Sequence, residues 1–173
     1  MRAPNSMAVR RGLPCLVAVF GGAAALVALA ALLGRSFVWN LSSSLPRGLY
    51  ALKRSAAPLR GAIVTFRPPP GAAALIAARS YLPPGASLLK VVVALPGDAA
   101  CVGVVSFSVN GRVIGPVASR DTRGRPLSPF QFCGVVPAGV AFVATAAPLS
   151  FDSRYFGPVP LSCLTVAVPV WTY

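Results

Sequence analysis

The chain has no histidine and no glutamate, and its only acids are Asp98, Asp121 and Asp152. Without histidine the Ser-His-Asp and Cys-His arrangements are excluded, together with the commonest zinc ligand. Paired carboxylates for acid-base work are poorly supplied. Lysine is scarce too: Lys53 and Lys90 stand against fourteen arginines. A guanidinium stays protonated and cannot act as a base, so a nucleophile in this chain has to find its base among two lysines. The four cysteines, Cys15, Cys101, Cys133 and Cys163, are 86, 32 and 30 positions apart. No CxxC spacing exists, and no metal site or cofactor is expected.

What the chain has in excess is positive charge, +13 with a sequence pI near 11.3. Clustered arginine on a basic surface can neutralise nucleic-acid phosphates. Here the arginines are scattered singly, the densest group beyond the N-terminus being Arg120, Arg123 and Arg125 in a Gly/Pro-containing loop. No RNA-binding motif accompanies them. Nucleic acid is therefore not an expected partner, and a solvated basic surface near anionic lipid headgroups is favoured.

Leu13 to Leu33 reads LPCLVAVFGGAAALVALAALL, twenty-one residues without a charge. About 20 residues suffice to cross a bilayer as a helix. Arg2, Arg10 and Arg11 precede the run and Arg35 alone closely follows it, so residues 1–12 are expected in the cytoplasm and residues 34–173 on the far side. For a bacterial inner membrane that side is the periplasm. The alternative is a cleavable signal peptide with Ala28-Leu29-Ala30 at its cleavage site, although its apolar core exceeds the usual span of about 7–15 residues. Cys15 reads as a helix residue. Outside the cytoplasm oxidation is permitted; Cys101 and Cys133 are the favoured pair, leaving Cys163 as a buried thiol, but sequence does not fix connectivity.

At 173 residues the chain suits one domain with a core of its own. Beyond the apolar run, β-branched stretches alternate with Pro/Gly punctuation. Residues 61–67, 87–95, 99–105, 139–145 and 163–172 read as strands. Asn110-Gly111 within VSFSVNGRVIG is a strong signal for a two-residue hairpin turn. One helix fits residues 71–81, between PPP and PPG. The expected fold is mainly β, an antiparallel domain behind one N-terminal transmembrane helix. Residues 35–41 read as a short connection that keeps the serines of SSSLPRGLY, residues 42–50, near the membrane surface.

Lys90 lies inside the apolar run LLKVVV. Burial disfavours the ammonium and lowers a lysine pKa, as a neutral amine base requires; the plainer alternative is a strand lysine that snorkels to water. Lys53, beside Arg54, reads as a solvated strand end. Ser87-Leu88-Leu89-Lys90 also matches the SxxK of penicillin-binding proteins. That motif needs a helix, and a strand sends residues three apart to opposite faces. Asp152 and Arg154 are two apart, so on a strand they would share a face and could pair; a loop salt bridge is the alternative.

SSSLPRGLY after an apolar run, then LKVVVALPGD, then SFDSRYFGP, in this order, resemble the signal peptidase I family of S26-type serine peptidases with a Ser-Lys dyad. More narrowly, they resemble its conjugative-transfer, TraF-type branch. That branch has an Asn-x-x-x-Ser-x-Pro-x-Gly-Leu-Tyr context, matched by Asn40, Ser44, Pro46, Gly48, Leu49 and Tyr50. The resemblance runs from the apolar segment to the C-terminus. It implies Ser44 as nucleophile and Lys90 as general base. Ser42 would complete an oxyanion hole with the Ser44 backbone N–H, Ser150 would orient the lysine, and Asp152 with Arg154 would support that wall. Two departures stand out: Lys90-Val91-Val92 replaces the family's Lys-Arg-Val, and Ser44-Leu45-Pro46 replaces Ser-Met-x-Pro. The second favours the conjugative branch. The resemblance implies hydrolysis of an exported precursor with small residues at the cleaved bond, a pilin or another transfer-system component, with the transfer machinery as a further partner. If a substrate amine replaces water, the same acyl-enzyme joins chain ends, as some family members do. Two other readings stand beside this one, a general signal peptidase and a noncatalytic membrane-anchored β domain that binds an assembly partner.

Overall fold

In the computed structural model, residues 21–22, 25–29 and 36–173 are described. The chain divides into Met1–Ser36 and Phe37–Tyr173. In the first unit, residues 21–22 and 25–29 are helical. Among the described residues no helix is long and apolar enough to cross a membrane. The rest of the expected span 13–33, Cys15, part of the Ala28-Leu29-Ala30 site and residues 1–12 lie outside the described residues.

The second unit, together with Ser36 at the start of its first strand, is mainly antiparallel β. Its elements are β1 (Ser36–Asn40), β2 (Gly48–Lys53), β3 (Ile63–Phe66), α1 (Pro70–Arg79), β4 (Leu88–Ala94), β5 (Ala99–Val102), β6 (Ser106–Val109), β7 (Arg112–Pro116), β8 (Phe132–Val135), β9 (Val140–Ala144), α2 (Ser153–Phe156), β10 (Val159–Pro160) and β11 (Thr165–Thr172). One sheet runs β1-β2-β11-β3-β4-β9-β10 and the other β7-β6-β5-β8.

The apolar sequence of β9, and that of β4 apart from Lys90, follow from burial on both faces. Alternate residues of β9 enter different cores: Ala141 and Val143 pack with Val64, Phe66 and Leu88, while Phe142 and Ala144 pack with Val102, Phe107 and Val109. A register shift against β9 between Val92 and Ala94 lets β4 serve both clusters, Val92 in the first and Ala94 in the second. Such a bulge re-aims the residues on either side of it. Lys90 shares its face of the strand with Leu88 and Val92, because side chains two apart point the same way.

The Asn110-Gly111 turn joins β6 to β7 with φ of 49° and 77°, the left-handed pair that a tight hairpin requires. Helix α1 starts after Pro69, with Pro70 in its first turn, and stops at a left-handed Ser80. Three expectations need correction. Residues 36–40 form an edge strand rather than a connection. The strand expected over 99–105 ends at Val102, where the Gly103 N–H turns back to the Ser106 carbonyl at 2.9 Å. Cys163 is exposed rather than buried, because it ends a surface 3-10 turn over Leu161–Cys163. Cys101 and Cys133 face each other directly across β5 and β8 and are disulfide-bonded.

Candidate active site

The serine stretch lies in the loop between β1 and β2, wrapped around the side chain of Asn40, which is buried. Asn40 Oδ1 accepts from the Ser42 backbone N–H at 3.1 Å and from the Ser42 hydroxyl at 2.8 Å. Its Nδ2 donates to the carbonyls of Ser42, Leu45 and Pro46 at 3.2, 3.1 and 3.0 Å. The fully buried Tyr50 donates its hydroxyl to the Pro46 carbonyl at 2.7 Å. Gly48 has φ +141°, and a Cβ there would lie 2.0 Å from the Trp171 carbonyl oxygen of β11. Only glycine permits that approach. Asn40, Pro46, Gly48 and Tyr50 therefore hold one loop in one shape, with Ser44 near its middle.

β4, paired on both sides by β3 and β9, brings Lys90 to this loop from inside the sheet. Its Nζ lies 3.0 Å from Ser44 Oγ and 2.8 Å from Ser150 Oγ. Ser42 Oγ is 3.1 Å from Ser44 Oγ on the other side. The lysine is only 4% exposed, and burial lowers its pKa from the ordinary value to about 8; the anion of Asp152 opposes this and the cation of Arg154 assists it. A neutral amine has one lone pair and two N–H groups, which suits it to accept from Ser44 while donating to Ser150. At neutral pH about a tenth of the amine is then neutral and available to a hydroxyl within reach.

Ser150 and the residues after it form the far wall. Asp152 caps the short helix α2, accepting from the Arg154 backbone N–H, so the pair sits on a helical turn and neither on a strand nor in a solvated loop. Both side chains are fully buried. Arg154 donates Nε to Oδ1 at 2.8 Å and Nη2 to Oδ2 at 2.7 Å of Asp152. Its remaining donors meet the carbonyls of Thr145, Ala147 and Pro116 at 3.0, 3.0 and 2.8 Å. A buried ion pair is tolerable when its leftover donors are satisfied in this way. The neighbouring Ser153 Oγ accepts from the Val143 N–H at 2.9 Å, tying the turn to β9.

A cavity of about 290 Å³ opens over Ser42, Ser44, Lys90 and Ser150, walled largely by apolar side chains including Trp39, Ile76, Leu88, Leu127 and Phe151. Asp121 also lines it. Burial works to raise the pKa of this carboxylate, but the Tyr81 hydroxyl at 2.6 Å and the N–H groups of Arg125 and Arg123 outweigh it and hold the pKa well below the usual range. Asp121 is thus a fixed anion that ties its loop to Tyr81 beside α1, not a proton donor. Ser87 is exposed and precedes β4, and the extended strand separates it from the Lys90 amine, which disposes of the SxxK arrangement. Lys53 is exposed at the end of β2. Among the described residues no group of three or more His, Cys, Asp or Glu could hold a metal ion.

The structure thus brings together Ser42, Ser44, Lys90 and Ser150, with Asp152 and Arg154 behind them and the Cys101–Cys133 bond in the other sheet. Sequence reasoning did not assign functions to Asn40, Tyr81 and Asp121; only Asn40 carried a signal, its place four residues before Ser44.

A family model described as signal peptidase, peptidase S26, matches residues 11–171. A probable conjugal transfer protein TraF of Sinorhizobium fredii is 35% identical, covering 95% of this chain and 93% of its own. The conjugal transfer protein TraF of Agrobacterium fabrum is 36% identical over 78% of this chain and 81% of its own. A plasmid transfer protein TraF of Escherichia coli is 36% identical over 91% and 94%.

Proposed function

The chain belongs to the signal peptidase family, peptidase S26, and on that premise we propose that it is a serine endopeptidase with Ser44 as nucleophile and Lys90 as general base. The observation that carries this reading is the 3.0 Å contact between Ser44 Oγ and a lysine amine buried almost completely from water.

In the proposed reaction, Ser44 Oγ attacks the scissile carbonyl carbon while its proton passes to neutral Lys90. Charge that develops on the carbonyl oxygen is held by the Ser44 backbone N–H and the Ser42 hydroxyl. The C–N bond then breaks, Lys90 returns the proton to the leaving amine, and Ser44 keeps the acyl group. Water, deprotonated by Lys90, resolves the acyl-enzyme and restores the serine. Ser150 accepts an amine N–H throughout and keeps the lone pair aimed at Ser44. Asp152 and Arg154 brace that wall.

The substrate we infer is an exported precursor, a conjugative pilin or another transfer-system protein, with the transfer machinery as a further partner. The names of the relatives support this choice. We also infer that residues 13–33 anchor the chain in a bacterial inner membrane, with residues 1–12 cytoplasmic and residues 34–173 periplasmic; the uncharged run and its arginine bias support it. An amine in place of water would give transpeptidation from the same acyl-enzyme.

Co-expression of a pilin precursor with the unmodified chain, Ser44→Ala, Lys90→Ala or Ser87→Ala, followed by mass spectrometry, tests the reading. Cleavage by the unmodified chain and Ser87→Ala, with loss in the other two, is expected. A product lighter by one water than the hydrolysed chain identifies cyclisation. The family description itself favours a second reading, removal of secretory signal peptides in general, in which unrelated secretory precursors are processed equally well. A noncatalytic β domain predicts instead that Ser44→Ala keeps full function, and the buried dyad counts against it.

A further inference from the structure

The loop that carries Ser44 is built around a side chain that the proposed chemistry does not use. Asn40 is buried, and both its oxygen and its nitrogen are engaged by residues 42–46. Its Oδ1 receives two bonds from one residue, the backbone N–H and the hydroxyl of Ser42. Two bonds from one residue to one acceptor fix where that residue's Oγ sits and which way its single proton points. The Ser42 hydroxyl is thereby held 3.1 Å from Ser44 Oγ, with its proton on Asn40 and a lone pair turned to the Ser44 hydroxyl.

We propose that Asn40 is the positioning residue of the oxyanion hole: it holds the Ser42 hydroxyl beside Ser44 in the free chain and gives up that hydroxyl's hydrogen bond to the substrate oxygen when negative charge builds there. The inference rests on the peptidase reading above. A neutral amide oxygen and a neutral substrate carbonyl accept a hydroxyl proton about equally, so substrate binding alone gains little by turning Ser42 away from Asn40. An oxyanion is a far stronger acceptor than either. The exchange becomes favourable only as the tetrahedral intermediate forms, and an interaction made only there raises kcat without tightening substrate binding. The Nδ2 bonds to the Ser42, Leu45 and Pro46 carbonyls keep the amide itself from turning when its oxygen loses the hydroxyl. Asparagine supplies both the acceptor and those donors; an aspartate could not donate to the three carbonyls.

The test is a double-mutant cycle on the precursor cleaved in the preceding experiment, with kcat, KM and thermal midpoint measured for Asn40→Ala, Ser42→Ala and the double variant. Asn40→Ala is expected to lower kcat by about 10- to 100-fold with KM within about threefold. Ser42→Ala alone should cost about 100- to 1,000-fold in kcat, and less than about tenfold once Asn40 is gone. Asn40→Ser, a milder change that retains one donor and one acceptor, gives the same pattern at smaller size should the alanine variant fold poorly. Full additivity of the two substitutions, a loss confined to KM, or unchanged kcat would overturn the proposal while leaving the Ser44/Lys90 reading intact. Failure of the unmodified chain to cleave any precursor would remove both.

Discussion

The Nζ of Lys90 lies 3.0 Å from the Oγ of Ser44, forty-six residues earlier in the chain. An interior strand of one sheet supplies the amine, and a loop shaped by Asn40 supplies the hydroxyl. The apolar neighbours that bury Lys90 are what bring its pKa to about 8, and they tie the chemistry to pH in a definite direction.

Only the neutral amine can accept the serine proton, so cleavage is expected to rise with pH and level off above about 8. In the acid limb kcat/KM should climb about tenfold per pH unit. Initial rates from pH 6 to 10 check this. A limb centred near the ordinary lysine value would contradict burial of the base.

The same shift acts on stability. The folded-state pKa of Lys90 lies below its unfolded value, so between about pH 8 and 10.5 the unfolded chain binds more protons at this site. Folding stability is therefore expected to rise across that window by about 3 kcal/mol. Lys90→Met, which cannot titrate, should lack this increment. Urea unfolding of both chains from pH 7.5 to 10.5 measures the difference; parallel curves would refute it.

Asp152 and Arg154 act on Lys90 with opposite signs, the anion raising its pKa and the cation lowering it. Arg154→Met should shift the acid limb of the rate to higher pH, and Asp152→Asn should shift it lower. Each change breaks a fully buried pair and is expected to cost about 3–5 kcal/mol of stability, read by urea denaturation. Shifts in one common direction would mean that the pair acts through shape rather than charge.

Gly48→Ala places a methyl 2.0 Å from the Trp171 carbonyl at φ +141°. Such strain costs about 1–3 kcal/mol, and relief requires β2 and β11 to separate. Thermal denaturation should show a lower midpoint, together with slower cleavage because Gly48 follows directly on the loop that holds Ser44. An unchanged midpoint would show that the strands adjust freely.

Much of this was legible in the sequence because the signals are local. Asn110-Gly111 needs two positive φ values, and few residue pairs accept them. β3, β4 and β9 are apolar runs because packed side chains cover them in the sheet, whereas β11 is apolar although Pro169 to Thr172 are exposed. β8 and all of β2 but its end at Lys53 were hard to see, for opposite reasons. β2 starts at a glycine inside a stretch that reads as a site, and the four residues of β8 are mostly exposed, so no apolar period marks them. Ser44, Lys90, Ser150 and the Asp152–Arg154 pair were recognisable by motif, but the four-residue helix that carries the pair was not, since one turn is too short to show a helical period. The part played by Asn40 was hidden for another reason: it bonds mainly to backbone carbonyls, whose direction depends on the fold.

Whether Ser44 carries the acyl group is read by rapid acid quenching of the reaction with precursor, followed by peptide mapping of the enzyme. A transient acyl adduct on the peptide that contains Ser44 is expected, absent in Ser44→Ala and formed faster as pH rises through about 8. An adduct on any other residue, or continued cleavage by Ser44→Ala at the unmodified rate, would contradict it.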